Sequence, residues 1–202
     1  MSDMDSSGFN IIVAGVGGQG VILATEILGD AAIRQGLRVI ISEIHGMAQR
    51  GGSVVSHVRI GGDAYSPTIT EGTADAILGL EPVEALRAVK FANIDTRIIM
   101  NSKPTIPVTV STGAYKYPTL EEIIGQCRRF TEHIMVLDAF KIAEEAGSPL
   151  VLNIVLVGAL AATGLLPMGE EDLVRTIKRH VPEKLLSANL KAFEAGKDYA
   201  LP

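Results

Sequence analysis

The stretch that most constrains the fold is FNIIVAGVGGQGVILATEILGDAAIR, Phe9 to Arg34. An apolar run, Phe9 to Ala14, meets a glycine-rich turn that fits GxGxxG through Gly15, Gly17 and Gly20. Apolar residues then recur at Val21, Ile22, Ala24, Ile27, Leu28, Ala31 and Ala32 in a helical rhythm. This predicts a buried strand, a tight turn and a helix. Gly36 ends the helix, and LRVIIS supplies a second buried strand parallel to the first, completing a Rossmann-like βαβ opening with a right-handed crossover.

Further elements follow from composition and punctuation. SVVSHVRI reads as a strand, GGDAYSPTI as a turn into a short extended piece, and ADAILGL as another buried strand. Pro82 suits the first turn of a helix over EPVEALRAVKF, and TRIIMNS is again a strand. Lys103 to Pro118, with prolines at Pro104, Pro107 and Pro118, suits an excursion at the sheet edge. Thr119, three residues before Glu122, is a capping-box start for a helix. HIMVLDA is the last strand, and helices occupy the remainder. The fold class expected is α/β: a three-layer sandwich with a mostly parallel, mixed sheet and a helical C-terminal part. Residues 1–8 are expected as a disordered tail before a single domain from 9 to 202.

Composition narrows the function classes. With 47% apolar and only 20% charged residues, Val, Ile, Leu, Ala and Gly must build the core. The scarcity of charge also points to surface covered by a partner, or by a second copy in a homodimer when the chain is isolated. A net charge of −5 and no basic stripe argue against nucleic-acid and anionic-membrane partners. The start, MSDMDSSG, carries two acids, no cation and no apolar segment, unlike a targeting peptide. Leu150 to Leu166 is interrupted by Asn153 and reads as a buried helix of a cytoplasmic protein rather than a membrane span. The one cysteine, Cys127, excludes an internal disulfide and a multi-thiolate metal site, and reads as a core or half-buried residue.

Two loops could carry chemistry. The first is Gly15, Gly17, Gly18, Gln19 and Gly20, with Glu43 closing the second strand where a ribose-binding acid belongs in a dinucleotide site. The same glycines equally let a helix pack close to a strand, and no Lys followed by Ser or Thr makes the turn a P-loop. The second loop, EIHGMAQRGG, brings His45, Gln49, Arg50, Gly51 and Gly52 into a turn that leads straight into a strand. It can take an anionic ligand group or a neighbouring chain's carboxylate, while Arg50 can equally be a solvated ion-pair residue. His45 and His57 lie twelve residues apart without a third ligand nearby, so no metal site is expected, and His57 reads as a hydrogen-bonded strand residue. Glu81 is a second acid for the rim of the sheet, or simply a helix-start residue. No nucleophile and base pair stands out, so catalytic residues are unassigned. On the residues alone, three readings stay open: an enzyme subunit, a free-standing NAD(P)-binding protein and a non-enzymatic assembly domain.

Taken in order, VAGVGGQGVILATEIL, SEIHGMAQRGGSVVSHVRIG, ADAILGLEPVEALRA and NIVLVGALAATGLLP resemble the gamma-type subunits of 2-oxoacid ferredoxin oxidoreductases, most of all the small (beta) subunit of the indolepyruvate branch. The resemblance runs from about Phe9 to Tyr199, and HGMAQRGGSVVSHVR is its sharpest part. It implies the fold of domain III of pyruvate ferredoxin oxidoreductase. It also implies a subunit of an enzyme that oxidatively decarboxylates arylpyruvates to aryl-acetyl coenzyme A, with coenzyme A as co-substrate. Thiamine diphosphate, magnesium and iron-sulfur clusters would lie on a large partner subunit, with ferredoxin reached through the complex. This chain would bind none of them alone: one cysteine cannot supply the four thiolates of a cluster. The family motifs cover Gly15, Gly17, Gly18, Gln19 and Gly20, and Gln49, Arg50, Gly51 and Gly52. The glycine turn is then expected to be a packing and interface turn that does not hold NAD.

Overall fold

The computed structural model describes residues 8–46, 51–62, 65–106 and 116–200. The expected tail, apart from Gly8, and the centre of the proline-rich excursion lie outside these. The opening follows its sequence in β1 (Phe9–Val16), the glycine turn and α1 (Val21–Arg34), whereas β2 (Val39–His45), expected as a buried strand, is an exposed edge strand with no buried residue. Next come β3 (Ser53–Ile60), β4 (Ala74–Gly79), α2 (Pro82–Ala88) and β5 (Ala92–Asn101). The chain closes with α3 (Leu120–Cys127), β6 (Ile134–Leu137), α4 (Ala139–Ala146), α5 (Leu152–Ala162), α6 (Glu170–His180) and α7 (Glu183–Ala200).

Six strands form one sheet in the order β2-β3-β1-β4-β5-β6. From β1 through β4 and β5 to β6 every pair is parallel, whereas β3 is antiparallel to both β1 and β2. The sheet is therefore mixed and the fold is α/β. The opening departs from a standard Rossmann unit in one respect. β1 and β2 run in the same direction, but β3 is inserted between them, because only the short connection 46–52 joins β2 to β3 and such a link can make only an antiparallel pair. The expected loop is correspondingly shorter: Glu43 and His45 belong to β2. Of the GGDAYSPTI segment, the described residues form turns and bends with no strand.

Alternation along β1 builds both faces of the core. Ile11 and Val13 join an apolar cluster with α1, α4, α5, α6 and α7; Ile12 and Ala14 join a second with α2 and α3. All four are fully buried, as strands covered on two faces require. Helix α5 is buried all round and packs backbone to backbone on α7: a Cβ on Gly158 would sit 2.1 Å from the Phe193 carbonyl oxygen. No described helix is long and apolar enough to cross a membrane. Cys127 is buried, and burial raises its thiol pKa to about 11. His57 is buried on β3, where Nδ1 accepts from the Ile69 amide (3.1 Å) and Phe91 lies edge-on. Burial, and then the Lys90 charge, hold its pKa below 6.5, so the neutral imidazole is favoured.

Candidate functional site

The glycine turn lies where the helix connections diverge, α1 covering one face and α2 the other, at the C-terminal ends of β1 and β4. In open α/β sheets a ligand ordinarily enters such a crevice. Here the turn's own side chain bonds across the strand ends on the β4 side. Gln19 Oε1 accepts from the Val16 amide (2.8 Å), and Nε2 donates to the Leu80 carbonyl (3.4 Å) and to Thr105 Oγ1 (3.0 Å). The Gln19 amide also closes the turn onto the Val16 carbonyl at 3.0 Å. One side chain thus ties β1, the end of β4 and the segment after β5.

The glycines serve this close packing. A Cβ on Gly15 would meet Val21 Cγ2 at 2.9 Å and Gln19 Oε1 and Leu80 Cβ at 3.0 Å. Gly20 caps α1 with φ +82°, and a Cβ there would meet Asn153 Nδ2 at 2.6 Å. Asn153 is buried at the start of α5 and donates to the Gly20 carbonyl (3.1 Å), so the polar residue inside the apolar run buttresses the turn. Gly18 faces open space.

The two sequence-predicted loops meet. The Gly17 amide donates to the Gly52 carbonyl at 2.9 Å. His45 accompanies them at the end of β2, with Nε2 3.0 Å from Glu43 Oε2 on the same strand. Gly51 lies at φ +71°, while Gln49 and Arg50 fall outside the described residues. Glu43 is not placed as a ribose acid would be: its strand is separated from β1 by β3, and its carboxylate is engaged by His45.

Glu81 is buried beside the turn and caps α2, accepting from the Glu84 amide at 3.0 Å. It also accepts from the Thr105 amide (3.3 Å) and the Tyr117 hydroxyl, so it holds both sides of the proline-rich excursion. Burial first, and then the bond to Glu81, push the Tyr117 pKa well above its usual value, keeping the phenol a donor. One turn along α2, buried Glu84 accepts from Ser53 Oγ and Arg87, each at 2.5 Å. Sequence reasoning did not single out Thr105, Tyr117, Ser53 or Glu84. Ser53 and Glu84 lie within the stretches that carry the family resemblance, but only topology brings the four residues, remote in sequence from Gln19, to the rim.

Two clefts flank the turn and share Gly18. The larger, about 810 Å³, runs along Gly17, Gly20, Ile22, His45 and Ser53. The smaller, about 440 Å³, lies between Gln19, Lys103, Phe140 and Leu150. The first offers the uncapped amides at the start of α1, which suit a polar or anionic group; the second is largely apolar beside one cation. Among the described residues no three His, Cys, Asp or Glu side chains cluster as metal ligands.

Residues 10–199 match the family described as pyruvate ferredoxin/flavodoxin oxidoreductase. The chain is 47% identical over 192 residues to the indolepyruvate oxidoreductase subunit IorB of Archaeoglobus fulgidus, covering 95% of both chains. It is 44% identical to the corresponding subunit of Thermococcus kodakarensis, covering 93% of this chain and 94% of that one. The crystal structure of a keto/oxoacid ferredoxin oxidoreductase gamma subunit from Geobacter sulfurreducens superposes with a TM-score of 0.68 at 26% identity, covering 95% of this chain and 98% of that one. The mixed sheet, the interlocked glycine turn and a match spanning nearly the whole chain place this protein in the pyruvate ferredoxin/flavodoxin oxidoreductase family.

Proposed function

We propose that this chain is the small subunit of a ferredoxin-dependent 2-oxoacid oxidoreductase acting on arylpyruvates such as indolepyruvate, with coenzyme A as co-substrate. The observation that carries the reading is 47% identity to an indolepyruvate oxidoreductase subunit across 95% of each chain. Thiamine diphosphate, magnesium and the iron-sulfur clusters then reside on a larger partner subunit of a cytoplasmic complex, which passes electrons to ferredoxin. The residues present here do not fit a cluster. Cys127 is the only thiol, and it is buried and held protonated. Residues 9–202 act as one domain whose contribution is a rigid rim: Gln19 and Glu81 fix the glycine turn and the ends of the excursion that a partner would meet. The feature that weighs against a free-standing dinucleotide protein is Glu43, whose strand lies beyond β3.

The test is indolepyruvate-dependent reduction of a low-potential acceptor by the larger subunit, with thiamine diphosphate and coenzyme A, with and without this chain. Activity should appear only when both chains are present. Full activity of the larger subunit alone would contradict the reading.

A further inference from the structure

The smaller cleft beside the glycine turn, about 440 Å³, lies at the C-terminal ends of β5 and β6. Three separate pieces of chain face the turn across it: Lys103 to Thr105 after β5, Phe140 at the start of α4, and the capped turn Pro149–Val151 that precedes α5. That capped turn presents one residue outward. Ser148 Oγ accepts from the Leu150 amide at 3.3 Å and Pro149 fixes its own φ, while Val151 and Leu152 enter the core. Leu150 is left 71% exposed on a backbone that is already ordered, so it loses little conformational freedom on meeting a partner. The polar side chains of the floor are engaged within the chain. Asn101 Nδ2 donates to the Leu80 and Lys103 carbonyls, its Oδ1 accepts from the Ala139 amide, and Gln19 is bonded through both atoms of its amide. Among the described residues that line the cleft, Lys103 alone is charged. Its ammonium lies 5.5 Å from the centre of the Phe140 ring and 3.9 Å from Asp138 Oδ2. Asp138 already caps α4, where Oδ1 accepts from the Lys141 amide at 2.9 Å, so the contact with Lys103 is a loose one that leaves the cation open to a second carboxylate.

Given that this chain is the small subunit proposed above, we infer that the cleft is a docking point for the larger subunit, which seats an apolar side chain between Phe140 and Leu150 and a carboxylate on Lys103. Two observations select a protein side chain over a small polar ligand. The hydrogen-bonding groups of the floor are satisfied from within, and the most exposed wall residue is a leucine on an ordered turn. Charge complementarity selects the acid. The chain carries a net charge of −5 and repels acidic groups as a whole, so Lys103 is a local exception that fixes where a carboxylate can sit. Covering Leu150 beside Phe140 supplies the affinity, and the ion pair sets the orientation. The glycine turn gains a positioning role here: Gly18 and Gln19 line the cleft, and the Gln19 bonds to Leu80 and Thr105 hold that wall in place.

Calorimetric titration of the larger subunit with the full chain tests this. Leu150→Asp should raise the dissociation constant by about tenfold or more, whereas Ile94→Asp, equally exposed but at the opposite end of β5, should leave it unchanged. Lys103→Glu should weaken binding by about tenfold as well. Lys103→Gln should weaken it less and flatten its dependence on salt, because a screened ion pair has been removed. All four variants alter exposed side chains and should unfold at the wild-type denaturant midpoint, so weaker binding is not a folding defect. Wild-type affinity in both Leu150→Asp and Lys103→Glu overturns the docking point and leaves the small-subunit reading standing. Failure of the wild type to bind the larger subunit contradicts that reading, and the docking point falls with it. Saturable binding of indolepyruvate to the isolated chain, abolished by Leu150→Asp, would make the cleft a ligand pocket and overturns the proposal too.

Discussion

The two halves of the sheet meet at β1 and differ in almost every physical respect. On the parallel side, β1, β4 and the end of β5 are buried on both faces, and the side chains of Gln19, Glu81 and Asn101 bond across the strand ends. On the antiparallel side, β3 is a buried spacer and β2 an exposed edge, where Glu43 bonds to His45 of the same strand and Ser42 to the Pro67 carbonyl. A glycine turn that looks like a ligand loop in sequence thus belongs to the half whose strand ends are bonded together, and the half with open backbone carries no GxGxxG motif. The insertion of β3 produces this division: it leaves the turn intact and moves Glu43 away from the position that would give the turn its dinucleotide meaning.

The contrast can be broken by substitution. The largest loss is expected where backbones touch on the parallel side: Gly158→Ala forces a methyl against the Phe193 carbonyl and should cost about 3 kcal/mol or more in denaturant unfolding. Glu81→Ala should come next, at about 2 kcal/mol, because it strands the Glu84 and Thr105 amides and the Tyr117 hydroxyl beside the rim. Gln19→Ala should cost about 1 kcal/mol by freeing the partly buried Val16 amide. Glu43→Ala, on the open edge, should change monomer stability by less than about 0.5 kcal/mol. Equal losses for Gln19→Ala and Glu43→Ala would remove the distinction between the halves.

The spacer strand adds a pH signature. His57 has a folded pKa below 6.5, so the unfolded chain takes up a proton before the native one does. Its contribution is fully present above 6.5 and is lost as pH falls below that toward the folded value. Urea unfolding between pH 7 and pH 5 should therefore show a shallower loss of stability in His57→Asn than in the wild type. An identical slope would contradict a buried, neutral His57.

Much of this architecture was legible in the sequence because local signals carried it. The apolar run before Gly15 and the helical spacing after Gly20 define β1 and α1, Pro82 opens α2, and Thr119 with Glu122 forms the capping box of α3. Cys127 reads as a core or half-buried helix residue and His57 as a hydrogen-bonded strand residue, and both are buried. The insertion of β3 was not legible, because the periodicity of SVVSHVRI shows a strand without showing its neighbours or direction. The site was only half legible for the same reason. Glycine motifs announce Gly15 to Gly20, but the Thr105, Tyr117 and Glu84 contacts arise from topology. Asn153 announced itself only as a polar interruption, and its bond to Gly20 appears once α5 is docked.

The most direct test of the closed turn is equilibrium titration of the purified chain with NADH and NADPH, followed by ligand fluorescence. With Gln19 tying the strand ends and Glu43 beyond β3, no saturable binding should be seen. Saturable binding that Glu43→Ala weakens would contradict the account and make the glycine turn a dinucleotide site.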